Sequence, residues 1–114
     1  MTISIAQKLL GAYDLGGPGL PAYQLVVNWL PCAMCFGAAC WSGVRSLVIA
    51  GSDDQLEVIT GFDEGPISPN WKEELAKRSI ELTENVLKEE AIEVFHKFRR
   101  SGAFVYNARQ SLIV

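Results

Sequence analysis

The spacing of apolar residues changes several times along the chain, and each change marks an element. Ile3, Ala6, Leu9, Leu10 and Tyr13 recur at helical spacing. Gly11, followed by Gly16 and Gly17, ends that helix. After a Gly/Pro loop, "YQLVVN" (Tyr23–Asn28) is a short β-rich run that predicts a buried strand. A helix should follow from about Ala33 to Ser42, started by Pro31 and stopped by Gly43. "SLVIA" (Ser46–Ala50) predicts a second buried strand. Residues 51–69 predict turn and loop, with a short helix near Leu56. Asn70 then caps a helix to about Arg78, and "SIELT" (Ser79–Thr83) predicts a third strand. The last helix should run from about Lys88 to Arg100. Its stripe of Leu87, Ala91, Val94, Phe95 and Phe98 faces a core, and Gly102 closes it. "AFVYN" (Ala103–Asn107) reads as extended. Strands alternating with helices predict an α/β fold with a mostly parallel sheet and helices on its faces.

Length confines this pattern to one domain over residues 1–114, with room for a modest single core. A hydrophobic fraction of 49% and a charged fraction of 20% fit a globular chain. The net charge of −3 is divided between acidic residues in Glu81–Glu90 and basic ones in Lys97–Arg100. No basic face is evident, so a small molecule is expected as ligand rather than polymeric nucleic acid. The N-terminus has no basic region followed by a continuous apolar run, and no stretch approaches a membrane span, so neither a signal peptide nor a membrane partner is expected. Three cysteines are an odd number. Reduced thiols in the cytoplasm are the expectation.

The candidate chemistry sits in "NWLPCAMCFGAACWSGV" (Asn28–Val44). A thiolate needs its negative charge stabilised, and a helix N-terminus supplies free N–H groups and a positive dipole end. Cys32 and Cys35, one turn apart behind Pro31, can place both sulfurs about 2.3 Å from one tetrahedral zinc. The same pair is also compatible with a redox dithiol or with two small core residues. Cys40, five residues beyond Cys35, points about 140° away around the helix and is read as core packing. His96, the single histidine, sits opposite the apolar stripe of its helix and is read as solvated. Trp29, Trp41 and Trp71 are read as packing, with Trp29 nearest the candidate pocket.

"PCAMC" followed by "FGAACWSGVRSLVIAG" resembles the second zinc motif of the cytidine/deoxycytidylate and guanine deaminase superfamily. In that family P-C-x-x-C is followed by a small-residue helix, a Trp and a buried strand. "ITGFDEGPI" is similar to the G-F-D segment of guanine-deaminase-like members, and the last helix and "VYN" resemble the end of several nucleoside and nucleobase deaminases. The resemblance runs from the first helix to Asn107. It implies a three-layer αβα cytidine-deaminase-like fold and zinc-dependent hydrolytic deamination of a purine-type nucleobase or nucleoside.

The resemblance also assigns roles. Cys32 and Cys35 would be zinc ligands, and Asp63 would face the base and move protons at the leaving amino group. An Asp in "FDEG" can equally bond its own turn; Glu64 is a weaker candidate. Trp29 would border the substrate pocket. Tyr106 is similar to an aromatic that closes over substrate, although a core or interface tyrosine fits as well.

Two features depart from the family pattern. The family also requires His-x-Glu, which supplies the third ligand and the general acid/base. No histidine stands among residues 1–31. The family pattern would put that motif just before Met1, with the N-terminal strands of the sheet absent too. Leu30 stands where many members carry Glu. The expectation is therefore a truncated domain that is inactive by itself, binds zinc weakly or substoichiometrically, and forms a homodimer through the uncovered "YQLVVN" edge or the helix faces beside it. Two further possibilities are a degenerate, non-catalytic member acting as a binding or structural protein, and a C-x-x-C thiol redox protein.

Overall fold

The computed structural model describes residues 1–109. Its elements are α1 (Thr2–Leu10), β1 (Gln24–Val27), α2 (Ala33–Ser42), β2 (Ser46–Ile49), α3 (Gln55–Thr60), α4 (Trp71–Lys77), β3 (Glu81–Thr83) and α5 (Lys88–Arg100). The strands form one parallel sheet in the order β1-β2-β3. Val26 lies opposite Val48, and Leu47 opposite Leu82. Parallel neighbours need crossovers. Here α2 carries the chain from β1 to β2, while α3 and α4 carry it from β2 to β3. This is the α/β architecture expected, a parallel sheet with helical crossovers.

Side chains on a strand alternate between faces. Leu25, Val27, Leu47, Ile49 and Leu82 meet Phe36 and Cys40 of α2 and Trp71 and Leu75 of α4. Leu47 and Ile49 are fully buried in this layer. A second cluster gathers Trp29, Ala50 and Phe95 with Leu56, Ile59, Ala91 and Ile92, which joins α3 and α5 to the loops after β1 and β2. The Trp29 and Phe95 rings meet edge-on at 5.0 Å, and Trp29 Nε1 donates to the Asp53 carbonyl at 3.0 Å. Glycine is required at 51, because a Cβ there would collide with the Trp29 ring.

Several local expectations change. No residue of α1 is buried, and Leu9 and Tyr13 are largely exposed, because α1 touches the body mainly through α2. The "YQLVVN" strand is the uncovered edge expected: no other strand pairs with β1 on its far side among the described residues, and Val26 is 65% exposed, while Leu25 and Val27, expected to lose cover as well, stay packed against the core. On α5 the inward stripe is Ala91, Ile92, Phe95 and Phe98. Leu87 and Val94 are mostly exposed, because α5 packs on α3 and not squarely over the sheet. Trp41, read as packing, is 84% exposed on the outer side of α2. Asn70 is the N-cap of α4 but makes no side-chain capping bond; Ser68 Oγ accepts from its N–H instead. Cys40 packs against the core, and His96 is exposed, both as expected.

Candidate active site

In open α/β sheets, ligands bind beyond the carboxyl ends of the strands. There β1 runs through Trp29, Leu30 and Pro31 into α2. Cys32 is the N-cap of α2, with its side chain uncommitted to capping and its carbonyl accepting from Phe36 N–H at 2.7 Å. Cys32 is half-buried and Cys35 is exposed, and both are free thiols. Burial, and next a hydrogen bond with Cys32, push the Cys35 thiol above its ordinary pKa.

The turn at residues 61–65 docks against the start of this helix. Ala33 N–H donates to the Glu64 carbonyl at 2.8 Å. Gly65, at φ +81°, passes so close to Ala33 that a Cβ there would come within 3.0 Å of the Ala33 methyl. Asp63 Oδ1 accepts from Gly65 N–H at 2.8 Å. The turn-bonding role of this aspartate is therefore realised, while Oδ2 has no hydrogen-bond partner among the described residues. Phe62 stacks on Phe98 of α5 at 5.4 Å. Burial, then the neighbouring charges of Glu57 and Asp63, raise the Glu64 carboxyl above the usual carboxylate range.

Asn107 completes the constellation. Its Oδ1 accepts from Asp63 N–H at 2.7 Å, and its Nδ2 donates to the Gly61 carbonyl at 2.9 Å. A cavity of about 300 Å³ results, lined by Cys32, Met34, Asp63, Glu64, Tyr106 and Asn107 among others. Of the expected site residues, Cys32, Asp63 and Tyr106 meet here; Tyr106 is 69% exposed on its rim. Trp29 and Glu64 border a neighbouring cavity of about 260 Å³, with Trp29 only 3% exposed. Cys35 opens to a third cavity, between α1, β1 and α2. Sequence reasoning missed Asn107, because nothing in "VYN" announces partners 44 and 46 residues away.

The donor set for a metal is incomplete. Two thiolates supply half of a zinc tetrahedron. Among the described residues no group of three His, Cys, Asp or Glu side chains is placed to hold an ion. The residues present therefore do not by themselves fit a zinc site.

No protein-family model matches the chain, and no curated protein matches its sequence. Solved structures do. Guanine deaminase from Nitrosomonas europaea is 46% identical, with a TM-score of 0.81, over 86% of this chain and 53% of that one. NE0047 in complex with 2,6-diaminopurine is 46% identical, with a TM-score of 0.83, over 94% of this chain and 56% of that one. A variant of NE0047 in complex with 8-azaguanine is 44% identical, with a TM-score of 0.82, over 87% and 54%. The chain thus spans little more than half the length of the structures it matches. In sequence and in fold the chain is consistent with the guanine-deaminase-like members of the cytidine deaminase superfamily.

Proposed function

We propose that these 114 residues form the part of a hydrolytic purine deaminase that carries the P-C-x-x-C thiolates and the acidic turn. What supports this most is a single cavity that collects Cys32, Asp63, Glu64 and Tyr106. Its volume is at the lower end of the roughly 300–1,000 Å³ of small-molecule sites. In hydrolytic deamination, water adds to the carbon bearing the amino group, and the departing nitrogen must gain a proton. Asp63 is assigned that transfer, through the oxygen its turn leaves uncommitted. Tyr106, on the rim, covers the base, and Trp29 supports the adjoining wall from the core. The substrate is a purine-type nucleobase or nucleoside, by likeness to neighbours solved with 2,6-diaminopurine and 8-azaguanine. No helix among the described residues is long and apolar enough to cross a membrane. The free thiols suit the cytoplasm.

Titration of labelled chain with 8-azaguanine, followed by amide chemical shifts, tests the assignment. Shifts confined to Ala33, Asp63 and Gly65 support it. None at millimolar ligand would refute the purine site.

Cys32 and Cys35 are assigned as zinc ligands, with the remaining groups coming from outside this sequence. The metal is then weakly held, since durable zinc sites are closed by four protein ligands. Metal analysis after dialysis against a mild chelator should find well under one zinc per chain. One tightly retained ion per chain would reveal a third ligand within these residues. The second reading is a non-catalytic member kept for binding, favoured by Leu30 and the two-thiol donor set. The redox reading rests on C-x-x-C spacing alone.

The homodimer is assigned to β1. Tyr23 O accepts from Arg45 N–H, so residues 23, 25 and 27 face β2 and Gln24, Val26 and Asn28 turn their backbone groups outward. This edge has neither charge nor proline, the usual guards against strand pairing. A two-fold antiparallel pair centred on Val26 sets Gln24 against Asn28, amide to amide. Light scattering at low micromolar concentration should give twice the mass of one chain, falling to one for Val26→Lys. A folded wild-type monomer would eliminate this interface.

A further inference from the structure

The turn at 61–65 carries both carboxylates of the candidate site, so what fixes it decides where they stand. Beyond the bonds from Gly61 N–H and Phe62 N–H that join it to the end of α3, three anchors are visible: Glu64 O to α2, Phe62 on Phe98 of α5, and the side chain of Asn107. The third differs in kind. One amide accepts from Asp63 N–H and donates to Gly61 C=O, satisfying two backbone groups on either side of Phe62 as a neighbouring strand would. An Asn or Gln side chain offers an uncharged N–H donor and a C=O acceptor on adjacent atoms, the pairing of a backbone amide. Among the described residues, these bonds are also the ones that tie residues 104–109 back to the body of the fold. Tyr106 precedes the clamp directly, and both residues line the cavity with Cys32.

We propose that Asn107 is a positioning residue: its side-chain amide clamps the Gly61–Gly65 turn to the segment after α5, and so sets Asp63 and Tyr106 together across the cavity from Cys32. What the clamp serves rests on the purine-deaminase reading; the clamp itself does not. Residues 106–108 are then a wall of the site. Its hold depends on one uncharged side chain whose loss leaves the core untouched.

Amide hydrogen exchange and proton shifts of the labelled chain test this. In the wild type, Asp63 N–H should be protected and shifted downfield by its short bond. Asn107→Ala should speed its exchange by roughly tenfold or more, the factor that two ordinary hydrogen bonds account for. Leu47 and Ile49, in the sheet, should keep their rates. Asn107→Asp retains the acceptor for Asp63 N–H without the donor for Gly61, and should restore part of the protection and the downfield shift. Unchanged exchange at Asp63 in Asn107→Ala would overturn the proposal. So would a uniform acceleration that includes Leu47 and Ile49, which marks a general stabilising role. Purine titration fails or succeeds separately: shifts without a clamp effect would keep the substrate assignment and discard the clamp.

Discussion

The 114-residue chain by itself is expected to release no ammonia from guanine, cytidine or adenosine above the level of a Cys32→Ala control. Two terms are missing together. A bound zinc lowers the pKa of water from about 15.7 toward 7 and so makes hydroxide available at neutral pH. Two thiolates cannot hold that ion firmly, and the lone histidine, His96, is exposed on α5. A general acid/base contributes roughly 10²–10⁴-fold more. No Glu stands in a His-x-Glu motif anywhere in this sequence, and Asp63 serves the opposite end of the reaction in the proposed scheme. Each loss alone would leave a slow enzyme; both should leave background hydrolysis. An ammonia assay on purified chain, with zinc added and with the Cys32→Ala control in parallel, decides it. Zinc-dependent turnover that disappears in Cys32→Ala would show that a third ligand reaches the site, for instance from a second copy.

The second large effect lies in the core. Leu47 occupies the central strand, is fully buried, and packs with Ile49, Leu75 and Ile80 between sheet and helices. Leu47→Ala removes three carbons from a layer where α2, α4 and both flanking strands converge, leaving little freedom to close the gap. A loss of about 2–5 kcal/mol follows. Domains of this size are stable by only about 5–15 kcal/mol. Urea unfolding should therefore shift to clearly lower midpoint with the same slope. Val26→Ala, on the exposed edge, should stay within about 0.5 kcal/mol, compared at equal protein concentration because association shifts apparent stability. A Leu47→Ala chain as stable as wild type would mean that the sheet does not pack as described.

Much of this protein follows from local pattern. The boundaries of α2 and α5 agree with the structure nearly to the residue, because Pro31, Gly43 and Gly102 punctuate them. The β2 strand is legible because "SLVI" is β-rich and bounded by turn residues. The cysteine pair is legible because its spacing is chemistry on one turn of helix, and the G-F-D turn because it resembles a family segment. What sequence cannot carry is which face of an element finds a neighbour. In β1 consecutive apolar residues point to both faces, and on α5 Ile92 and Val94 flank the stripe on either side, so period alone could not separate Val26 from Val27, or Val94 from Ile92. Burial of those side chains is decided by the strand order and by the docking of α5 on α3. Trp41 and Leu87 are exposed for the same reason: they border open clefts and not a packed layer.

The candidate site divides along the same line. Cys32 at a helix N-cap is local, set by Pro31 and the helix that follows. The meeting of Cys32 with Asp63 and Asn107 is not: it needs a backbone bond from Ala33 to Glu64 and a side-chain amide reaching back 44 residues. The sequence by itself determined the elements, the parallel α/β class and the residues able to do chemistry, because backbone geometry and helix-end electrostatics act over a few neighbouring residues. Only the tertiary structure decided which of those residues share a cavity and which apolar faces stay open, because those outcomes depend on contacts between segments whose separation along the chain leaves no periodic trace.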